Sequence, residues 1–150
     1  MTGVSHRTFV FERQTGAEPE RVFAAYADPA ERQAWSAPSD TAMFAYETAD
    51  FTEGGVDTFR CGSKEAPQYA GRTTYLSIVP SERIVTAEVI HAGGRTVMTC
   101  LNTVELVAQG SGTRILATVQ VASFIGDAML DGVREGNEAS LNNLVRHLAG

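Results

Sequence analysis

The sequence has 150 residues, with 12 Lys and Arg against 18 Asp and Glu, a formal net charge of −6 and a single lysine, Lys64. Nucleic-acid binding normally needs a basic stripe, and none is present, so no nucleic-acid partner is expected and an anionic membrane surface is disfavoured for the same reason. A chain of this length fits one domain that buries roughly 70% of its unfolded surface and needs no disulfide or metal staple.

The predicted elements run in an informative order. Thr8 to Arg13 reads as a strand, with Phe9 and Phe11 on alternate positions. Pro19 suits the first turn of a helix, because its fixed φ is already helical and its missing N–H would be unpaired there. Val22, Phe23 and Tyr26 give that helix an apolar face. Asp28 then caps a second short helix with Pro29 at its first position, running to about Trp35, and Pro38 helps to end it.

From Thr41 to Phe124 the period becomes two. Expected strands are Ala42–Phe51, Val56–Cys61, Tyr69–Val79, Arg83–His91, Arg95–Val107 and Thr113–Ser123, separated by turn residues. Gly93-Gly94 is the strongest hairpin signal among them. Short turns between successive strands predict an antiparallel meander. Helical period returns from about Gly126 to Leu148, with Met129, Val133, Leu141, Leu144 and Leu148 near one face. Such a helix is roughly 30 Å long, enough to cross a sheet. The chain is therefore expected to form a single α+β domain over 1–150, with a curved sheet of about seven strands gripping a long C-terminal helix.

Two features point to a cavity under that helix. Its apolar stripe is interrupted by Gly136, Asn137 and Ser140, and a glycine in a helix interior costs about 1 kcal/mol relative to alanine. Close packing or a space kept open would each justify it. On the strands, the inward parity through Val104 and Leu106 includes Met98, Cys100 and Asn102, and the parity through Phe59 and Cys61 includes Asp57. Apolar and aromatic groups with a few polar ones are what small-molecule pockets present. The alternative is that Met98 and Cys100 fill the core and that neighbouring backbone satisfies Asn102. Candidate contacts are Trp35, Phe44, Asp57, Phe59, Cys61, Tyr75, Met98, Cys100, Leu101 or its neighbours, Val133, Gly136 and Ser140, with Asn102 and Asn137 orienting a polar group.

Catalytic equipment is sparse. Cys61 and Cys100 stand in no CxxC or Cys/His pattern, which fits reduced thiols, a cytoplasmic location and no zinc site. His6, His91 and His147 are widely spaced, and no metal, phosphate-loop or nucleophile-elbow motif occurs. No cofactor is expected. His147 falls in the last helical turn, where a cation suits the helix dipole. Glu105 opposes the inward parity and is expected in solvent. Glu88 is ambiguous, because its strand is apolar on both parities. No leader segment is visible, and no apolar run approaches the ~18 residues of a membrane span.

Several blocks carry a family resemblance: Pro19–Trp35 (PERVFAAYADPAERQAW), Asp50–Gly55 (DFTEGG), Ile78–Val85 (IVPSERIV), Gly112–Phe124 (GTRILATVQVASF) and Arg134–Leu144 (REGNEASLNNL). In order, they resemble the heat-shock-protein-90 ATPase activator-like family of the START-like polyketide cyclase and lipid-transfer superfamily. The chain departs from it at Trp35-Ser36, where relatives often have paired tryptophans. It departs again at Val119, where many carry Glu, so an acid role at that position is absent. The resemblance implies a helix-grip fold with a cavity between sheet and last helix, and it is compatible with a homodimer. It carries no single function. Three roles follow as expectations: binding of a small hydrophobic or amphipathic molecule; a cyclase- or hydrolase-type enzyme, for which only Asp57, Glu88 and His91 offer ionisable groups; and a co-chaperone-like interaction module.

Overall fold

In the computed structural model, which describes residues 3–37 and 39–150, the expected order of elements is present. Strand β1 (Ser5–Thr15) is followed by helices α1 (Pro19–Ala27) and α2 (Pro29–Ser36). Strands β2 (Ala42–Thr48), β3 (Val56–Ser63), β4 (Tyr69–Val79), β5 (Arg83–Ala92), β6 (Arg95–Gln109) and β7 (Gly112–Ser123) come next, and helix α3 (Asp127–Ala149) closes the chain. Pro38, expected to help end α2, lies outside the described residues.

The seven strands form one antiparallel sheet in the order β1-β7-β6-β5-β4-β3-β2. The meander from β2 to β7 is continuous, and β1 adds to its far side, with Phe11 opposite Ala117. The β5–β6 hairpin turns on Gly93 (φ 59°) and Gly94 (φ 76°) between the paired Ala92 and Arg95. Both central residues of a type I′ turn need positive φ, which glycine adopts without strain. Strand β2 is shorter than its pattern suggested. Its register with β3 shifts between Tyr46 and Thr48, and pairing stops before Asp50, whose N–H donates instead to Asp57 Oδ1 at 2.8 Å.

The two short helices form as their prolines and cap dictate. The Asp28 carboxylate accepts from Ala30 N at 2.9 Å, satisfying one of the free N–H groups at the start of α2. Val22 and Ala25 are buried from α1, Tyr26 packs edge-on against Trp35 at 5.0 Å, and Phe23 meets Phe51 at 5.5 Å. Leu130, Leu141 and Leu144 are the buried anchors of α3, with Met129, Val133 and Leu148 packed beside them. Helix α3 lies against β1 and β7 and meets α2. Its side chains also satisfy the free carbonyls that end α2. Ser140 Oγ donates to Ser36 O at 2.7 Å and Asn143 Nδ2 donates to Ala37 O at 2.8 Å. A hydrophobic core thus fills one end of the grip, among Val22, Ile115, Leu130 and Leu144. Toward β2–β5 the sheet and α3 are not packed together. No helix among the described residues is long and apolar enough to cross a membrane.

Candidate functional site

The space between the sheet and α3 is a cavity of about 720 Å³. That lies within the roughly 300–1,000 Å³ of small-molecule sites. Its floor is set by strand register, because residues paired across an antiparallel sheet share a face. One inward row runs Cys100–Glu88–Thr73–Asp57 across β6, β5, β4 and β3. The next runs Met98–Ile90–Gly71–Phe59, and a third holds Asn102, Thr86 and Tyr75. The Phe59 ring lies over Gly71, where a Cβ would sit 2.0 Å from it, so that glycine is required by close approach. Phe44 stacks on Phe59 at 4.5 Å and 20°, building an aromatic wall with Tyr46.

Helix α3 forms the roof through Met129, Gly132, Val133, Gly136, Asn137, Ser140 and Leu141. A Cβ at Gly132 or at Gly136 would meet nothing within 4 Å. These glycines are one helical turn apart on one face, and neither is there to admit a close neighbour.

The cavity wall formed by α2 and β3 carries a buried charge pair. Arg32 and Asp57 are 6% and 1% exposed, and Arg32 Nη2 donates to Asp57 Oδ2 at 2.9 Å. Arg32 Nε donates to Tyr46 Oη at 2.6 Å, Nη1 donates to Tyr26 O, and the guanidinium lies 4.6 Å above the Tyr46 ring. Tyr75 Oη donates to Asp57 Oδ2 at 2.5 Å, while Oδ1 takes the Asp50 N–H. Both oxygens of Asp57 and all three nitrogens of Arg32 therefore have partners. Burial pushes the Tyr46 hydroxyl up to about 12, and burial with the Asp57 hydrogen bond pushes Tyr75 further up. Both phenols stay protonated at neutral pH as donors.

Glu88 contrasts with this pair. It faces the cavity from mid-β5, and its one side-chain partner among the described residues is Thr73, whose Oγ1 donates to Oε2 at 3.5 Å. Burial raises its carboxyl to about 7, a rise the Thr73 bond partly offsets. Burial likewise raises the thiols of Cys61, to about 11, and Cys100, with the Glu88 charge adding to both. Neither is a reactive thiolate.

Trp35, Phe44, Asp57, Phe59, Cys61, Tyr75, Met98, Cys100, Asn102, Val133, Gly136, Asn137 and Ser140 all line this cavity. Their polar groups are not equally available. Ser140 is engaged with Ser36, and Asn137 Nδ2 donates one N–H to Val133 O at 2.8 Å, which leaves its second N–H and its carbonyl oxygen. Asn102 has no side-chain partner among the described residues, so backbone does not satisfy it as the core alternative supposed. Leu101 is corrected: it is 38% exposed on the opposite face of β6, because strand residues alternate sides. His91 is also displaced from the cavity, its Nδ1 lying 3.2 Å from Thr96 Oγ1 across the hairpin end. His147 Nε2 lies 2.7 Å from Glu31 Oε1, a carboxylate that Arg21 also bonds. The sequence reading missed Arg32 and Gly132. The i, i+3 spacing of Arg32 and Trp35 was a signal that both share a face of α2.

The comparisons agree with this architecture. A comparison with curated proteins finds no match. A protein from Rhizobium loti of known crystal structure is 34% identical, with a TM-score of 0.83, covering 97% of this chain and 99% of that one. A Rhizobium leguminosarum protein is 28% identical, with a TM-score of 0.84 and coverages of 99% and 98%. Ara h 8.0201, at 12% identity, a TM-score of 0.74 and coverages of 97% and 99%, shares the helix-grip fold alone. The family model described as "Activator of Hsp90 ATPase homolog 1-like protein" matches residues 16–149, so the chain belongs to that family.

Proposed function

We propose that this protein binds one small hydrophobic or amphipathic molecule between its sheet and α3. The observation that carries this reading is the cavity itself: about 720 Å³, walled by Phe44, Phe59, Met98 and Val133, with a few polar groups among them. Protein interiors otherwise pack to near-crystal density, so side chains that leave an apolar-lined space of that size between sheet and helix depart from ordinary core packing. In the roof, Gly136 presents no side chain to the space, at a cost of about 1 kcal/mol relative to alanine in a helix interior. Family and fold are compatible with such a role.

Titration with Nile red, a neutral dye whose emission shifts to the blue in apolar surroundings, tests the reading. One saturable site is expected, and Gly136→Phe, which projects a ring into the cavity, should abolish it while the far-ultraviolet circular dichroism is unchanged. Absence of a blue shift, or a blue shift that survives in the folded Gly136→Phe variant, would sink it. Native mass spectrometry of protein purified from its host would add the mass of any bound molecule and the oligomeric state.

A further inference from the structure

The polar groups of the cavity differ in what they leave undone. Arg32 is the only cation lining it among the described residues, and its three nitrogens are committed to Tyr46, Tyr26 and Asp57. Asp57 is closed by Arg32, Tyr75 and the Asp50 N–H. Glu88 has only the long bond from Thr73, and its Oε1 has no hydrogen-bond partner among the described residues. The cavity therefore contains one neutralised ion pair and one acid without a counter-ion. We propose that the bound molecule carries a protonated amine that docks on the Glu88 carboxylate, with its apolar body in the rest of the cavity, an inference that rests on the ligand-binding reading above.

The surroundings of Glu88 favour a cation over the alternatives. Tyr46 of β2, Cys61 of β3 and Cys100 of β6 face its charge, and burial holds all three protonated at neutral pH. Tyr75 of β4 and Tyr26 of α1 are likewise neutral phenols. Helix α3 contributes no titratable side chain to the lining. No protein group repels an incoming cation except Arg32, whose charge Asp57 balances. An ammonium would supply the missing charge and a charge-assisted hydrogen bond on the cavity floor. A hydroxyl would donate a hydrogen bond to the carboxylate but leave its charge unbalanced, and a carboxylate would meet repulsion. The net charge of −6 also draws cations toward the protein.

Isothermal titration calorimetry with 4-phenylbutylamine, 4-phenylbutanol and 4-phenylbutyrate separates these cases on one carbon frame. The amine should bind roughly ten- to a hundredfold more tightly than the alcohol, and the butyrate most weakly. Glu88→Gln, which keeps shape and loses charge, should remove the amine's advantage over the alcohol. In the unmodified protein, amine binding should tighten by up to about tenfold from pH 6 to pH 8 as Glu88 ionises, because an alkylammonium stays charged throughout. Alcohol binding should not tighten. Equal affinity of amine and alcohol, an amine advantage that survives Glu88→Gln, or tightest binding of the butyrate overturns the inference. If none of the three binds while Nile red does, the inference falls and the cavity reading stands. If Nile red also fails to bind, both fall.

Discussion

The two polar walls of the cavity put chemically similar residues to opposite ends. On the α2–β3 wall, Asp57 is almost fully enclosed and both of its oxygens are bonded, by Arg32, Tyr75 and the Asp50 N–H. On the β5 wall, Glu88 sits in the same inward row with one weak partner. A fully partnered buried charge holds structure in place and has no capacity left for a ligand. An unpartnered one costs stability and retains that capacity. Function in this cavity is thus better sought at the incompletely bonded acid than at the best-bonded one.

Removing each acid tests the contrast most forcefully. Asp57→Ala leaves the Arg32 guanidinium buried without its counter-charge, and it should lower unfolding stability by about 3–5 kcal/mol. The same substitution frees Tyr75 Oη and the Asp50 N–H. Urea denaturation should show a large drop in midpoint at near-constant slope. Removing both charges, as in Arg32→Met with Asp57→Leu, should cost less than Asp57→Ala alone, because no orphan ion remains. Glu88→Gln should not destabilise at pH 8. If the two single variants lose equal stability, the distinction between the walls is wrong.

The second test is the pH profile of stability. The Glu88 carboxyl is raised from 4.5 to about 7 in the folded protein. Between those values the native state binds more protons than the unfolded state, so stability falls as pH rises. The contribution is fully present below about 4.5 and lost as pH passes through about 7. The expected loss is roughly 1–3 kcal/mol, the upper end applying if the cavity stays dry. Glu88→Gln should flatten this segment of the profile. Profiles of equal slope across it would show that another group carries the titration.

Much of the fold could be read in the sequence because its signals are local. The Asp28-Pro29 cap, the Gly93-Gly94 turn and the period-two strands each act within a few residues, and each forms as expected except that β2 ends early. The cavity floor was legible for the same reason: once Val104 faces inward, alternation carries Asn102, Cys100 and Met98 with it. What was not legible depended on distance. Arg32 and Asp57 are 25 residues apart, and nothing local marks them as partners. The facing of Glu88 was open because Val89 and Ile90 satisfy either parity. Only its pairing with Thr73 and Cys100 on the neighbouring strands resolves it. Leu101 was misplaced by a single step of alternation, which is enough to send a side chain to the other face of the sheet.

The smallest effects come from the glycines, which occupy the same cavity for opposite reasons. At Gly71 on the floor, a Cβ would meet the Phe59 ring at 2.0 Å, so Gly71→Ala should destabilise and disturb the Phe44–Phe59 stack. At Gly132 and Gly136 in the roof, a Cβ meets nothing within 4 Å. Relief of the helix-interior penalty is then the only change, and each Gly→Ala should stabilise by up to about 1 kcal/mol. Neither new methyl touches a shared neighbour, so the double variant should approach the sum of the singles. Thermal unfolding of the three variants checks this directly. A methyl removes little of the 720 Å³, so Gly136→Ala should still bind Nile red where Gly136→Phe does not. A stabilised Gly136→Ala that keeps its dye would show that the packing of α3 does not need the glycine and that the roof has room for a methyl. A destabilised one would mean that α3 lies closer to the sheet in solution and that the open roof is not a property of the folded protein.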